Sequence, residues 1–196
     1  MEVLIIYLRL YMTTRITEAL GPFKRYAIWV QGCERRCAGC ISEDSQPIDG
    51  GYRLEITDLA ADIINTLDIE GITISGGEPY LQEESLVSLI SLVRAKRDLG
   101  VIIYTGFIFD EIKDNKLTAH ADIIIDGEYI NKLDDGRSLR GSSNQNVIFT
   151  TNRYKEYTNM YGMQGRKAEL RIKNEKVMLV GIPDKNTYKI LKGEQP

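Results

Sequence analysis

Two hydrophobic periods alternate along the chain, and this alternation narrows the fold more than any other feature of the sequence. Tyr26, Ala27, Ile28, Trp29 and Val30 form a short apolar, aromatic-rich run that stops at Gly32, the pattern of a buried strand. From Ile56 the apolar positions are Ile56, Leu59, Ala60, Ile63, Ile64 and Leu67. That is the spacing of a helix with one buried stripe, and Thr57 or Asp58 is placed to support its N-terminus. Gly71 to Ser75 reads as a strand, and Leu86, Leu89, Ile90 and Val93 read as a second helical stripe whose last turn carries Arg94, Lys96 and Arg97 before Gly100. Val101 to Tyr104, a shorter helix around Phe109 to Lys116, Ile123 to Ile125 and Val147 to Phe149 continue the alternation. Repeated units of this kind predict an α/β fold with parallel strands joined by crossovers. Five or so strands are too few for an eight-stranded closed barrel. The expected architecture is therefore an open partial (β/α) barrel.

The two ends of the chain differ from this middle. Val3 to Leu8 is an apolar run broken by Arg9, too short to span a bilayer and without a signal-peptide layout, so it reads as a first strand. Ala168 to Ile172 and Val177 to Val180 flank Lys173-Asn174-Glu175-Lys176 and predict a C-terminal β-hairpin ending at Gly181 and Pro183. Gly136 to Asn146, rich in Ser, Asn and Gly, is the most loop-like segment and a candidate to close over a ligand. A length of 196 residues with 43% hydrophobic residues suits a single domain over 1–196, with a core of about 21–150 and a hairpin appendage of about 166–183. The formal net charge of -3 gives no electrostatic reason to expect nucleic acid or a membrane as partner.

All three cysteines lie within eight residues, Cys33-Glu34-Arg35-Arg36-Cys37-Ala38-Gly39-Cys40. This is too tight for a useful disulfide framework and points to a metal site in a reducing, cytoplasmic setting. The C-x3-C-x2-C loop leaves the C-terminal end of a predicted strand, where parallel-sheet proteins place their chemistry. Iron-sulfur clusters are normally held by four thiolates, so three leave one iron open to another ligand, the mark of a catalytic centre. The alternative is a zinc site with His120, the one histidine, as fourth ligand. Arg35 and Arg36 could offset cluster charge, although a solvated loop face is the commoner role of such a pair. Trp29 reads as core packing.

A second turn, Ser75-Gly76-Gly77-Glu78-Pro79, follows the next strand. Its glycines permit close backbone approach to a ligand, and Pro79 sets the exit into a helix. Glu78 would equally suit the first turn of that helix.

Together these residues resemble the radical S-adenosylmethionine superfamily, with Cys33, Cys37 and Cys40 as its cluster motif and Gly76 to Pro79 as its GGEP motif. Gly21-Pro22, Trp29 to Cys33, Tyr104-Thr105-Gly106, Ile125-Asp126-Gly127 and Arg140-Gly141-Ser142-Ser143-Asn144-Gln145 are similar to the activating enzymes of anaerobic ribonucleotide reductases. Phe23 stands where those sequences often have glycine and Ala38 where they often have proline. Gly39 replaces the aromatic common elsewhere in the superfamily. The resemblance implies a 4Fe-4S cluster on the three cysteines and S-adenosylmethionine as cofactors. Reductive cleavage to a 5'-deoxyadenosyl radical would install a glycyl radical on a partner enzyme such as an anaerobic ribonucleotide reductase, with flavodoxin or ferredoxin as electron donor. It also implies that Gly76, Gly77, Glu78 and Pro79 receive the methionine ammonium. Tyr104, Thr105 and Gly106 would line the adenosine pocket, with Asp126, Ser142 and Asn144 nearby. A stand-alone radical enzyme acting on a peptide or small molecule, and a non-enzymatic metal-binding or redox-sensing module, are the competing readings.

Overall fold

A computed structural model describes residues 5–137, 139–161, 165–173, 176–183, 187, 189–190 and 193. The strands are β1 (Tyr7–Thr17), β2 (Arg25–Val30), β3 (Tyr52–Glu55), β4 (Gly71–Gly76), β5 (Gly100–Tyr104), β6 (Ile123–Asp126), β7 (Asn146–Phe149), β8 (Ala168–Lys173) and β9 (Lys176–Gly181). The helices are α1 (Ile56–Asn65), α2 (Glu83–Arg94), α3 (Phe109–Ile112) and α4 (Thr158–Tyr161). Seven strands form one sheet in the order β3-β1-β2-β4-β5-β6-β7, and β8 pairs with β9 in a separate hairpin.

The four central strands β2, β4, β5 and β6 are parallel, as the alternation predicts. Three additions depart from it. β1 pairs antiparallel with β2 at that edge, β3 pairs antiparallel with β1 outside it, and β7 closes the other edge antiparallel to β6. The first strand runs Tyr7–Thr17 rather than Val3 to Leu8, whose first two residues lie outside the described set. It pairs on both sides and has register shifts between Leu10 and Met12 and between Thr14 and Thr17, which blur the two-residue period. The helix expected over Phe109 to Lys116 is one turn, ended at Ile112, and Thr118–His120 forms a separate 3₁₀ turn.

Side-chain parity sorts the sheet into two faces. Tyr26, Ile28 and Val30 of β2, with Ile72, Ile74, Val101, Ile103 and Ile124, pack against the stripes Leu59, Ala60 and Ile63 of α1 and Leu86, Leu89, Ile90 and Val93 of α2. Ile112 and Leu117 continue the same layer, so the three helices that precede or cross between the parallel strands cover one face. α1 starts after Glu55 with no side-chain cap, and Asp58 serves its first turn through charge. The opposite face carries Ala27, Trp29, Ile102, Ile123 and Ile125, and among the described residues no long helix packs on it. Ala19, Leu20 and Val180 cover one part of it, and Leu139 and Tyr154 cover another. The expected hairpin is present as β8–β9, with the tip residues Asn174 and Glu175 outside the described set.

Candidate active site

The cysteine loop leaves the C-terminal end of β2 and is held at its root by backbone bonds. The Gly32 amide donates to Ser45 O at 2.8 Å and the Cys33 amide to Gln46 O at 2.9 Å. The Gln31 side chain donates to Pro47 O at 2.7 Å, pulling the two ends of the loop together. The GGEP turn presses against the same root: the Gly77 amide donates to Val30 O at 2.8 Å and the Glu78 amide to Gly32 O at 2.7 Å. This contact explains the glycine pair. Gly76 has φ +97°, and a Cβ on Gly77 would lie 2.2 Å from Gly32 O. The close approach these glycines permit is therefore to the backbone that carries the cysteines. In the loop itself the Cys40 amide donates to Cys37 O at 3.2 Å, with Gly39 at φ +76°. That left-handed turn favours glycine over an aromatic before the last cysteine.

Cys33, Cys37 and Cys40 are half-buried, unbridged, and line one cavity of about 160 Å³ with Gly76, Gly77 and Glu78. Tyr104, Thr105 and Gly106 from the end of β5 line the same space. A larger depression of about 640 Å³ lies between Tyr7, Arg9, Arg53 and Gln82 and contains no cysteine, so its size does not mark the chemistry. Burial pushes the Cys33 thiol up, against the pull of the Arg35 and Arg36 backbone, and Glu78 raises it further. Burial likewise raises the Cys37 thiol against a bond from the Tyr129 backbone. Thiols raised in this way need a bound cation to become thiolates, and metal coordination deprotonates a thiol outright.

Glu78 is 3% exposed and caps the turn that begins at Pro79. Its Oε1 accepts from Thr105 Oγ1 at 2.8 Å and from the Tyr80 amide at 3.2 Å, and Oε2 accepts from the Gly106 amide at 2.9 Å. The carboxylate thus ties β4 to β5 and serves the turn start as well. Oε2 retains an acceptor position facing the cavity side, where Arg35 Nε is 3.9 Å away. Burial raises the carboxyl above its ordinary value, against the pull of the Gly106 amide, Thr105, the Tyr80 amide and Arg35.

The second-tier residues divide. Asp126 is buried, but Oδ2 accepts from the Phe109 amide at 2.8 Å and Oδ1 from the Asn146 amide at 3.0 Å, so both oxygens are used within the fold. Ser142 Oγ accepts from the Ile130 amide and Asn144 donates to Glu128 O. Like Pro79, none of the three lines the cavity: Asp126 and Ser142 are buried behind it, Asn144 is exposed, and Gly127, Gly141 and Gln145 come forward instead. Gln145 was reachable from the same sequence segment; Tyr129, which also lines the cavity, has no signal in the sequence. His120 precedes β6, at the edge of the parallel sheet opposite the edge that bears the cysteines, and cannot complete a metal site with them.

Arg35 is the largest departure from the sequence reading. Arg35 lines the cavity and its guanidinium stacks on Phe107, Cζ 4.2 Å from the ring centroid, with only 28% of the side chain exposed. Its Nε and the Tyr104 hydroxyl are buried without hydrogen-bond partners. Three thiols, one buried carboxylate and the unspent Arg35 Nε–H line one cavity, a donor set that suits a cluster and a polar, zwitterionic cofactor.

Comparison with known proteins agrees with this chemistry. Residues 19–148 match the family described as a 4Fe-4S single cluster domain. The anaerobic ribonucleoside-triphosphate reductase-activating protein of Enterobacteria phage T4 is 29% identical over 136 residues, 67% of this chain and 87% of that protein. Its counterpart in Vibrio cholerae is 30% identical over 136 residues, 64% and 87% of the two chains. The pyruvate formate-lyase-activating enzyme of Streptococcus mutans is 30% identical over 142 residues, 65% of this chain and 53% of that one. The chain belongs to the 4Fe-4S single cluster family, among the radical S-adenosylmethionine activating enzymes.

Proposed function

We propose that this chain installs a glycyl radical on an anaerobic ribonucleotide reductase-like partner, using a cluster held by Cys33, Cys37 and Cys40. The observation that carries the reading is the convergence of the three thiols, buried Glu78 and the Tyr104-Thr105-Gly106 strand end on one cavity. Cys33, Cys37 and Cys40 would hold a 4Fe-4S cluster, which when reduced would supply the electron for cleavage of S-adenosylmethionine to methionine and a 5'-deoxyadenosyl radical. Glu78 accepts the ammonium of the methionine end through its remaining acceptor position, and the Tyr104-Thr105-Gly106 strand end lines the space left for the nucleoside. Gly127, Gly141 and Gln145 shield the opposite wall from water.

The placement of α1, α2 and α3 on one face of the sheet supports an open partial barrel as the architecture, since a doubly wound sheet carries helices on both. The face without a long helix is where a partner's glycine loop would enter. Residues 1–196 then act as a single domain with the β8–β9 hairpin as its appendage. Among the described residues no helix is long and apolar enough to cross a membrane.

Anaerobic reconstitution followed by iron and sulfide analysis tests the cluster, and electron paramagnetic resonance tests the function. Mixing reduced protein, S-adenosylmethionine and the anaerobic reductase from the same source should give a glycyl radical doublet on the reductase, which Cys40→Ala abolishes. Stoichiometric zinc, or reduction without 5'-deoxyadenosine, would overturn the reading. If a peptide or small molecule alone stimulates cleavage, the partner assignment fails and a stand-alone enzyme replaces it.

A further inference from the structure

The guanidinium of Arg35 is fixed in the cavity without a proper acceptor. Its Nε lies 3.9 Å from Glu78 Oε2, and its terminal nitrogen lies 3.9 Å from Glu111 Oε2. Both separations exceed hydrogen-bond length, so the pairing is Coulombic and the buried Nε–H is unspent. Yet the side chain is held from two sides. Phe107 lies under its guanidinium, and its stem crosses Gly106 so closely that a Cβ there would sit 2.2 Å from Arg35 Cδ. Gly106 also donates its amide to Glu78, so one strand end positions the anion and the cation of the cavity together.

We propose that Arg35 is a specificity-determining residue of this site: with Glu78 it reads the aminoacyl end of S-adenosylmethionine as a zwitterion, its Nε–H donating to the α-carboxylate. The assignment rests on the functional reading above. An α-amino acid end brings one positive and one negative group a few ångströms apart, and the cavity offers a buried carboxylate and a buried guanidinium donor at a matching separation. The ammonium relieves Glu78 of its distant pairing with Arg35, and the carboxylate takes the donor that the fold leaves unpaired.

The test uses cluster-loaded protein with iron and sulfide content matched between variants. Calorimetric titration compares S-adenosylmethionine with its decarboxylated analogue, which keeps the ammonium, sulfonium and nucleoside. Arg35→Gln should weaken S-adenosylmethionine by about tenfold or more and the analogue by less than about twofold, collapsing the preference, while Arg35→Lys keeps an intermediate preference. Equal weakening of both ligands would make Arg35 a general counter-charge for cluster and thiolates and overturn the proposal. An unchanged preference in Arg35→Gln overturns it too. Wild-type protein that binds neither ligand would overturn the functional reading itself, and the Arg35 assignment with it.

Discussion

At the scale of single residues the site depends on charge held in a place that resists it. Glu78 stays useful as an acceptor because the Gly106 amide, Thr105 and the Tyr80 amide offset part of its burial. Glu78→Gln keeps the shape, removes the charge and turns an amide toward a backbone N–H. Affinity for S-adenosylmethionine should fall about tenfold or more with cluster content unchanged, measured by calorimetry. Because burial raises the folded carboxyl, wild-type affinity should decline on acidification at a higher pH than for a solvated carboxylate, and the Gln variant should lack that step. Unchanged affinity would leave Glu78 as a cap alone. The cysteines and glycines were legible in the sequence because their chemistry and spacing are local. Phe23 was legible only as an oddity: its φ of +60° shows why glycine suits the position, and its ring edge meets Tyr157 at 5.3 Å. Arg35 was not legible as a site residue, because the ring of Phe107 that draws it inward lies 72 positions away in the chain, and spacing carries no record of such a contact.

At the scale of elements the β8–β9 hairpin is attached by a small set of contacts. Val180 packs beside Trp29, Ala19 and Leu20, and Glu169 accepts from Thr17 Oγ1 at 2.9 Å and from the Glu18 amide at 2.7 Å. Arg171 pairs with Glu169 and donates to Thr14 Oγ1 at 2.6 Å. Burial alone would raise the Glu169 carboxyl, but Arg171, the Glu18 amide and Thr17 outweigh it and hold it below the ordinary 4.5. A depressed folded value means the latch contributes fully above the unfolded value and is lost as pH falls through the folded one. Hydrogen exchange in residues 168–173 and 176–181, corrected for intrinsic rates, should therefore stay slow down to about pH 4.5 and accelerate below it. Glu169→Ala should accelerate it at neutral pH while β4 and β5 remain protected, and unaltered exchange in that variant would show that apolar packing alone holds the hairpin. Helices α1 and α2 were legible because each has one stripe facing one layer, whereas α3 is too short to show one and α4 left no such pattern. The direction of β7 was not, since a four-residue strand pairs either way and only the path of the preceding loop decides. That loop is pinned by Arg166, which donates to Gly141 O at 2.6 Å and pairs with Asp134 at 2.8 Å, a long-range tie with no local pattern.

At the scale of the whole molecule the two ends of the parallel sheet do different work. The C-terminal end carries the cysteine loop, the GGEP turn and Thr105, whereas the N-terminal end is organised around Arg25, which is fully buried. Its Nε donates to Thr73 Oγ1 at 2.7 Å, and its terminal nitrogens donate to Ile72 O at 2.8 Å, Gly100 O at 3.0 Å, Tyr154 Oη at 2.8 Å and Glu70 Oε2 at 3.0 Å. One side chain thereby joins β2, β4 and β5 to the segment that follows β7. Gly71 and Gly100 make room for it: a Cβ on the first would lie 2.4 Å from the guanidinium, and on the second 2.0 Å from the Tyr154 hydroxyl. Arg25→Met would take the donor from the Ile72 and Gly100 carbonyls, Thr73 and Tyr154, while Glu70 keeps Arg153 and Tyr154, so the loss is about 1–3 kcal/mol for each buried acceptor left unpaired. The midpoint of denaturation should drop accordingly. Because the network sits at the opposite end of the strands from the cysteines, S-adenosylmethionine affinity of the folded, cluster-loaded variant should stay within about twofold of wild type. A large loss of affinity without a loss of stability would mean that the stabilising end and the chemical end are coupled through the strands.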